Sequence, residues 1–162
     1  MAAAMPVRSA GILLYRHGAA GPEVLLVHPG GPFWARRDDG AWSIPKGEHG
    51  DDEDPEAAAR REFEEELGSP LPADARLRPL GEVRQKNGKV VAGWAAEGDL
   101  DASAARSNTF EMEWPPRSGR RQAFPEIDRA EWFPLDRARE KLVPAQAAFV
   151  DRLEEEERGG AA

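Results

Sequence analysis

The apolar positions near the start of the chain fall into two short unbroken runs, Ser9 to Tyr15 (SAGILLY) and Glu23 to His28 (EVLLVH). The turn-rich link HGAAGP separates them, so they are expected to form neighbouring strands. Thr109 to Trp114 (TFEMEW) alternates apolar and polar in the manner of a half-buried strand, and Pro115-Pro116 stops it. Leu77 to Val83 and the run KVVAGWAAEG predict two more strands, joined as a hairpin through the turn signal QKNG. AWSIPKGE reads as a short strand ending at Pro45, which cannot extend a central ladder, and Glu131 to Phe133 as another short strand. Helical signals gather between Asp54 and Gly68. Asp54 suits an N-cap, Pro55 the first helical position and Gly68 the residue just past the end. Ala59, Phe63 and Leu67 make an apolar stripe on that helix. Leu135 to Leu142 and Ala145 to Glu157 predict two further helices, the second turning Phe149, Val150 and Leu153 inward.

The remaining segments read as loops: His28 to Gly40, Ser69 to Ala75, the polar stretch DLDASAARSN and the basic stretch RSGRRQAFPEIDRA. Strands before, between and after helices favour an α/β layered domain. At 162 residues, with no internal repeat, one domain over residues 1–153 is expected, followed by a frayed tail over 154–162. Trp42, Trp94, Trp114 and Trp132 lie on expected strands and read as core.

Composition narrows the function. With 22 basic against 30 acidic residues, the net charge of −8 argues against broad nucleic-acid or membrane-surface binding, because those partners are polyanionic. It leaves room for a small phosphorylated substrate whose charge a metal offsets locally. The chain has no cysteine, so disulfides and thiolate metal sites are ruled out. His17, His28 and His49 lack metal-ligand spacing, which makes a zinc site a poor reading. The start MAAAMPVRSAG has neither a basic leader nor a long apolar run, so a cytoplasmic location is the default expectation.

The chemistry concentrates on the Asp54–Gly68 helix. At about 100° per residue, Glu62, Glu65 and Glu66 share one face. Like charges at such spacing cost roughly 0.2–0.5 kcal/mol per pair, so they want a counter-charge, and a hard divalent cation would supply it. The plain alternative is a solvated acidic face. Arg61 is placed to hold a carboxylate such as Glu53 in two-point contact, and Lys46 to meet a substrate phosphate. Arg117, Arg120 and Arg121 could grip phosphates, and Phe33 and Trp34 could stack on a base. Read singly, each of these is as well explained by loop solvation or core closure.

The spacing around the helix carries more information than its composition. Gly47 is followed after five residues by Glu53, then after seven by Arg61-Glu62, Phe63, one residue, Glu65-Glu66, one residue and Gly68. This resembles the Nudix box. Each fixed position is matched by chance in roughly one case in fifteen, so seven together come to on the order of one in 10⁸ per starting point. Ser69 departs from the pattern, where the family carries a bulky apolar residue. SIPKGE before the box and EWF after the Arg-rich loop also resemble that family, and the likeness runs from about Arg8 to Leu153. The blocks LVHPGGPFW, WSIPKGE and FEMEWPP are similar to a bacterial subgroup described only as predicted NTP pyrophosphohydrolases. The resemblance implies an α/β/α sandwich with a mixed β-sheet. It also implies Mg²⁺ or Mn²⁺ held by Glu62, Glu65 and Glu66 with the carbonyl of Gly47. A further loop acid is implied, here Glu126, five residues before Glu131-Trp132. Glu126 and Glu66 are then competing candidates for the base, with Arg61 and Glu53 in orienting roles. The implied reaction is hydrolysis of a nucleoside diphosphate linked to another moiety, a nucleoside triphosphate first and a dinucleoside polyphosphate second. A non-catalytic nucleotide sensor is the reading from another class, and a monomer or homodimer is expected.

Overall fold

The structure, a computed structural model, describes residues 7–160. Its centre is β1 (Arg8–Gly18), whose side chains are buried on both faces. Leu13 and Tyr15 enter one core, Ile12 and Leu14 the other, which explains why the run reads as continuously apolar rather than alternating. β2 (Gly21–Pro29) returns antiparallel to β1. β3 (Lys46–Glu48) pairs antiparallel with residues 9–11 of β1, on the same edge. β4 (Arg78–Arg84) and β5 (Val90–Glu97) form the expected hairpin, and β5 runs parallel to β1. β8 (Ile127–Pro134) adds antiparallel to β2. The sheet therefore has the order β4-β5-β1-β2-β8 with β3 also on β1, and it is mixed.

Helix α1 (Pro55–Leu67) covers one face, and α2 (Leu135–Lys141) and α3 (Ala147–Gly160) cover the other. Ala58, Ala59, Phe63 and Leu67 pack with Ile12, Leu14, Leu25 and Val27, while Ala138, Phe149, Val150 and Leu153 pack with Leu13, Tyr15, Val24 and Leu26. The result is the α/β/α sandwich. α1 is set by its own ends. The Asp54 carboxylate accepts from Ala57 N–H at 3.0 Å, and Gly68 closes the helix at φ 75°, donating its N–H to Glu64 O at 2.8 Å. Phe63 anchors the seat; Phe63→Ala would cost about 3–5 kcal/mol.

Several expectations need correction. The basic stretch read as a loop contains β7 (Arg121–Pro125), which pairs with β6 (Thr109–Glu113) as a separate two-stranded ribbon, and the start of β8. The strand expected to end at Pro45 is instead two isolated bridges, at Trp42 and Ser43, and the ladder begins after the proline at Lys46. Of the four tryptophans, Trp42 is wholly buried and Trp94 and Trp132 are partly so. Trp114 lies at the end of the ribbon and meets Phe33 edge-on at 5.7 Å, outside both cores. The stretch expected to fray from residue 154 stays helical to Gly160; Arg139 bonds Glu154, and Arg78 bonds Glu156 and Glu157. Residues 161–162 lie outside the described part. No helix among the described residues is long and apolar enough to cross a membrane.

Candidate active site

The box helix presents its carboxylates beside β3. A Cβ on Gly47 would overlap the Glu62 carboxylate, so glycine there is what lets the acid lie against the strand backbone. Arg61 binds Glu53 in the two-point manner, Nε and Nη2 each at 3.0 Å from one carboxylate oxygen. Its Nη1 lies 2.9 Å from Glu62 Oε1 and 3.3 Å from Glu65. One guanidinium thus spans three acids, and Glu53 holds it charged while it draws the Glu53 carboxyl below its usual range.

Glu66 sits deeper. Its Oε2 accepts the backbone N–H of Lys46 at 3.1 Å, tying the last turn of α1 to β3. Burial, reinforced by the charges of Glu62 and Glu126, raises its pKa to about 8 against the pull of Lys46. Burial also raises Glu62, with Glu65 and Glu126 adding to it and Arg61 opposing. The Lys46 ammonium is pushed down, again by burial first, with Glu66 opposing. Glu126 lines the same cleft as Glu66. Its backbone is fixed on both sides: Glu126 N–H donates to Asn108 O at 2.9 Å, and Glu126 O accepts from Gly30 N–H at 2.9 Å. Gly30 is required there, because a Cβ would run into the Pro125 carbonyl.

Glu66 and Glu126 open onto a cleft of about 490 Å³. Lys46, Trp34, Arg37, Lys86 and Lys89 also line it. Arg37 stacks over Trp34 at 5.5 Å. Behind them His28, wholly buried, has Nδ1 2.7 Å from Asp128 and donates its Nε2–H to Arg37 O at 2.6 Å, which anchors the Trp34–Arg37 segment to β8. The cleft therefore gathers cations and carboxylates in one wall lining. Phe33, Arg117, Arg120 and Arg121 are not among its walls. Phe33 packs on Trp114, and the arginines are exposed along the β6–β7 ribbon, with Arg121 3.6 Å from Glu111. Sequence reasoning missed Arg37, Lys86 and Lys89, together with Gln85 and Gln146 of the cleft wall. The QKNGK stretch carried a signal in its two lysines, but the turn it also encodes absorbed the reading.

Among the described residues, no three His, Asp or Glu side chains converge closely enough to form a ready-made cation site. The donor chemistry nevertheless fits a hard divalent ion: oxygen ligands, half-buried acids crowded together, and a glycine backbone pressed against one of them. In this arrangement Arg61 takes up part of that charge at Glu62 and Glu65.

The profile of the NUDIX domain matches residues 5–153. No curated protein matches the sequence. Among solved structures, an Ap4A hydrolase of C. elegans in a binary complex is 22% identical, with TM-score 0.65 over 94% of this chain and 98% of that one. The NUDIX domain of Shewanella oneidensis NrtR complexed with ADP ribose is 15% identical, with TM-score 0.63 over 94% and 89%. A Nudix hydrolase from M. smegmatis, RenU, is 26% identical, with TM-score 0.60 over 94% and 86%.

Proposed function

This chain belongs to the Nudix hydrolase family, and on that premise we propose that it is a nucleoside triphosphate pyrophosphohydrolase, releasing a nucleoside monophosphate and pyrophosphate. The observation that carries the reading is the cleft itself, which Glu66 and Glu126 line together with Lys46, Lys86, Lys89 and Arg37. A chain of net charge −8 that gathers four cations around one cleft is equipped for a polyanion of small size. Glu62, Glu65 and Glu66, with the Gly47 carbonyl, would hold Mg²⁺ or Mn²⁺. Bound there, such an ion offsets phosphate charge and makes a coordinated water more acidic.

The chain's own residues supply the rest. Lys46, Lys86 and Lys89 position the phosphates, and Trp34, with Arg37 stacked on it, offers a flat surface to the base. Glu126 or Glu66 accepts the proton of the attacking water. Both acids line the cleft, and Glu126 is exposed there on a fixed backbone. Arg61, clamped by Glu53, keeps Glu62 and Glu65 in register. A dinucleoside polyphosphate is the second reading, favoured by the row of cations and by the fold shared with the C. elegans Ap4A hydrolase.

The test is a panel of nucleoside triphosphates, dinucleoside polyphosphates and ADP-ribose, with Mg²⁺, Mn²⁺ or chelator, scored separately for phosphate and pyrophosphate. Metal-dependent pyrophosphate release from triphosphates is expected. Turnover confined to dinucleoside polyphosphates would move the assignment to the second reading, and turnover indifferent to chelator would overturn both.

A further inference from the structure

The cleft wall contains a chain of uncharged polar groups that phosphate chemistry does not use. Gln146 is wholly buried, and its Oε1 accepts the backbone N–H of Ile44 at 2.9 Å. A backbone nitrogen only donates, so this bond settles which end of the Gln146 amide is oxygen. Its Nε2 then donates to Ser43 Oγ at 3.1 Å and to Gln85 at 2.9 Å. The Ser43 hydroxyl gives its own proton to the Ile44 carbonyl at 2.7 Å, which leaves its oxygen as the acceptor Gln146 needs. Since Gln146 donates to Gln85, the Gln85 atom at that contact is the carbonyl Oε1. The Gln85 amide nitrogen is therefore turned away from Gln146. No acceptor among the described residues lies in bonding range of it, and Gln85 lines the cleft. The residue is also held still. Its main-chain N–H donates to Lys89 O at 2.8 Å, and its carbonyl accepts from Gly88 N–H at 2.9 Å.

We propose that Gln85 reads the nucleobase, offering a fixed pair of N–H donors that selects a ring carbonyl over a ring amino group. The inference rests on the nucleotide reading of the cleft. It assigns specificity to bases with oxygen at the contacted position (hypoxanthine and guanine among purines, uracil among pyrimidines) over adenine and cytosine. An amino group placed there would set donor against donor in a largely desolvated wall. A mismatch of that kind costs roughly tenfold to a hundredfold in affinity. Ser43 and Gln146 are positioning residues: they orient the reader through the chain of bonds that begins at Ile44 N–H.

Equilibrium binding to the intact chain under chelator tests this without relying on turnover. Inosine monophosphate is expected to bind at least tenfold tighter than adenosine monophosphate, and uridine monophosphate tighter than cytidine monophosphate. Gln85→Leu should bring each ratio to within about twofold, with a lowered melting temperature because it leaves a buried Gln146 N–H unpaired. Gln85→Glu, which turns an acceptor toward the cleft, should invert the order. If Gln85→Leu does not fold, the wild-type ratios and Gln85→Glu decide. Equal affinities in the wild type, no binding of either partner of a pair at millimolar concentration, or a preference that survives Gln85→Leu would each overturn the inference. The two readings fail separately. Triphosphate hydrolysis without base preference removes this one alone, whereas carbonyl-selective binding without any metal-dependent hydrolysis removes the pyrophosphohydrolase assignment and leaves Gln85 its role.

Discussion

The backbone N–H of Lys46 donates a 3.1 Å hydrogen bond to the carboxylate of Glu66, joining the strand that enters the site to the last turn of the box helix. One neutral donor does not compensate a buried carboxylate, and Glu66 holds its proton up to about pH 8. Its folded pKa lies above the unfolded value, so its contribution to stability is complete below about pH 4.5 and is lost as pH rises through about 8. In chelator, the wild type should therefore lose stability between pH 5 and pH 9 relative to Glu66→Gln. A shift of this size bounds the difference at about 4–5 kcal/mol, and water in the cleft reduces it to on the order of 2 kcal/mol. Denaturant titration of both proteins at the two pH values checks it, and parallel curves would refute the burial argument. Added Mn²⁺ at pH 9 should restore the wild type and not the variant.

Arg61 tests whether geometry or charge matters on the outer side of the helix. It grips both oxygens of Glu53 while touching Glu62 and Glu65. Arg61→Lys keeps the charge and loses the fork, because an ammonium cannot make the paired contact. We expect a fall of about tenfold or more in kcat with the melting temperature almost unchanged, and a similar fall for Glu53→Gln. The double variant should be no worse than either single one if both act through the same clamp. Additive losses would show that the residues work separately.

Two groups of cations compete for the phosphate role, and the structure separates them. Lys86 and Lys89 line the cleft; Arg120 and Arg121 are exposed on the ribbon. Lys86→Ala with Lys89→Ala should raise KM for triphosphates about tenfold or more, while Arg120→Ala with Arg121→Ala should change it less than about threefold. Both pairs are exposed enough that stability should move by no more than about 0.5 kcal/mol each. The opposite ranking in steady-state kinetics would mean that the ribbon folds over bound substrate.

What could be read from the sequence was what is determined locally. α1 is specified by Asp54, Pro55, Gly68 and an apolar stripe within one segment, and the box acids follow from its periodicity. β7 was hidden because its ribbon hardly touches the core: Phe110 and Phe124 pair across it while the alternate positions face solvent, so Arg121 to Pro125 shows no buried period. The lysines of QKNGK are ordinary turn residues until the parallel pairing of β5 with β1 sets that turn beside Lys46. Gln146 was illegible for the same reason, since its partners Ile44, Ser43 and Gln85 are remote in sequence and meet only in the folded chain.

Glu126 is where local signal and fold converge. Its spacing from Glu131-Trp132 marks it in the sequence, and the fold brings its charge to bear on both Glu62 and Glu66. The two backbone bonds, to Asn108 O and from Gly30 N–H, position it without relying on its side chain, so Glu126→Gln should leave the fold intact. Removing its charge also removes a repulsion felt by Glu62 and Glu66, so the variant should be slightly more stable in chelator, not less. As the base, Glu126 would contribute about 10²–10⁴-fold, and kcat should fall by that factor with KM nearly constant. Glu66→Gln serves as the control. If Glu126→Gln loses less than about tenfold while Glu66→Gln is inactive, the proton goes to the buried acid.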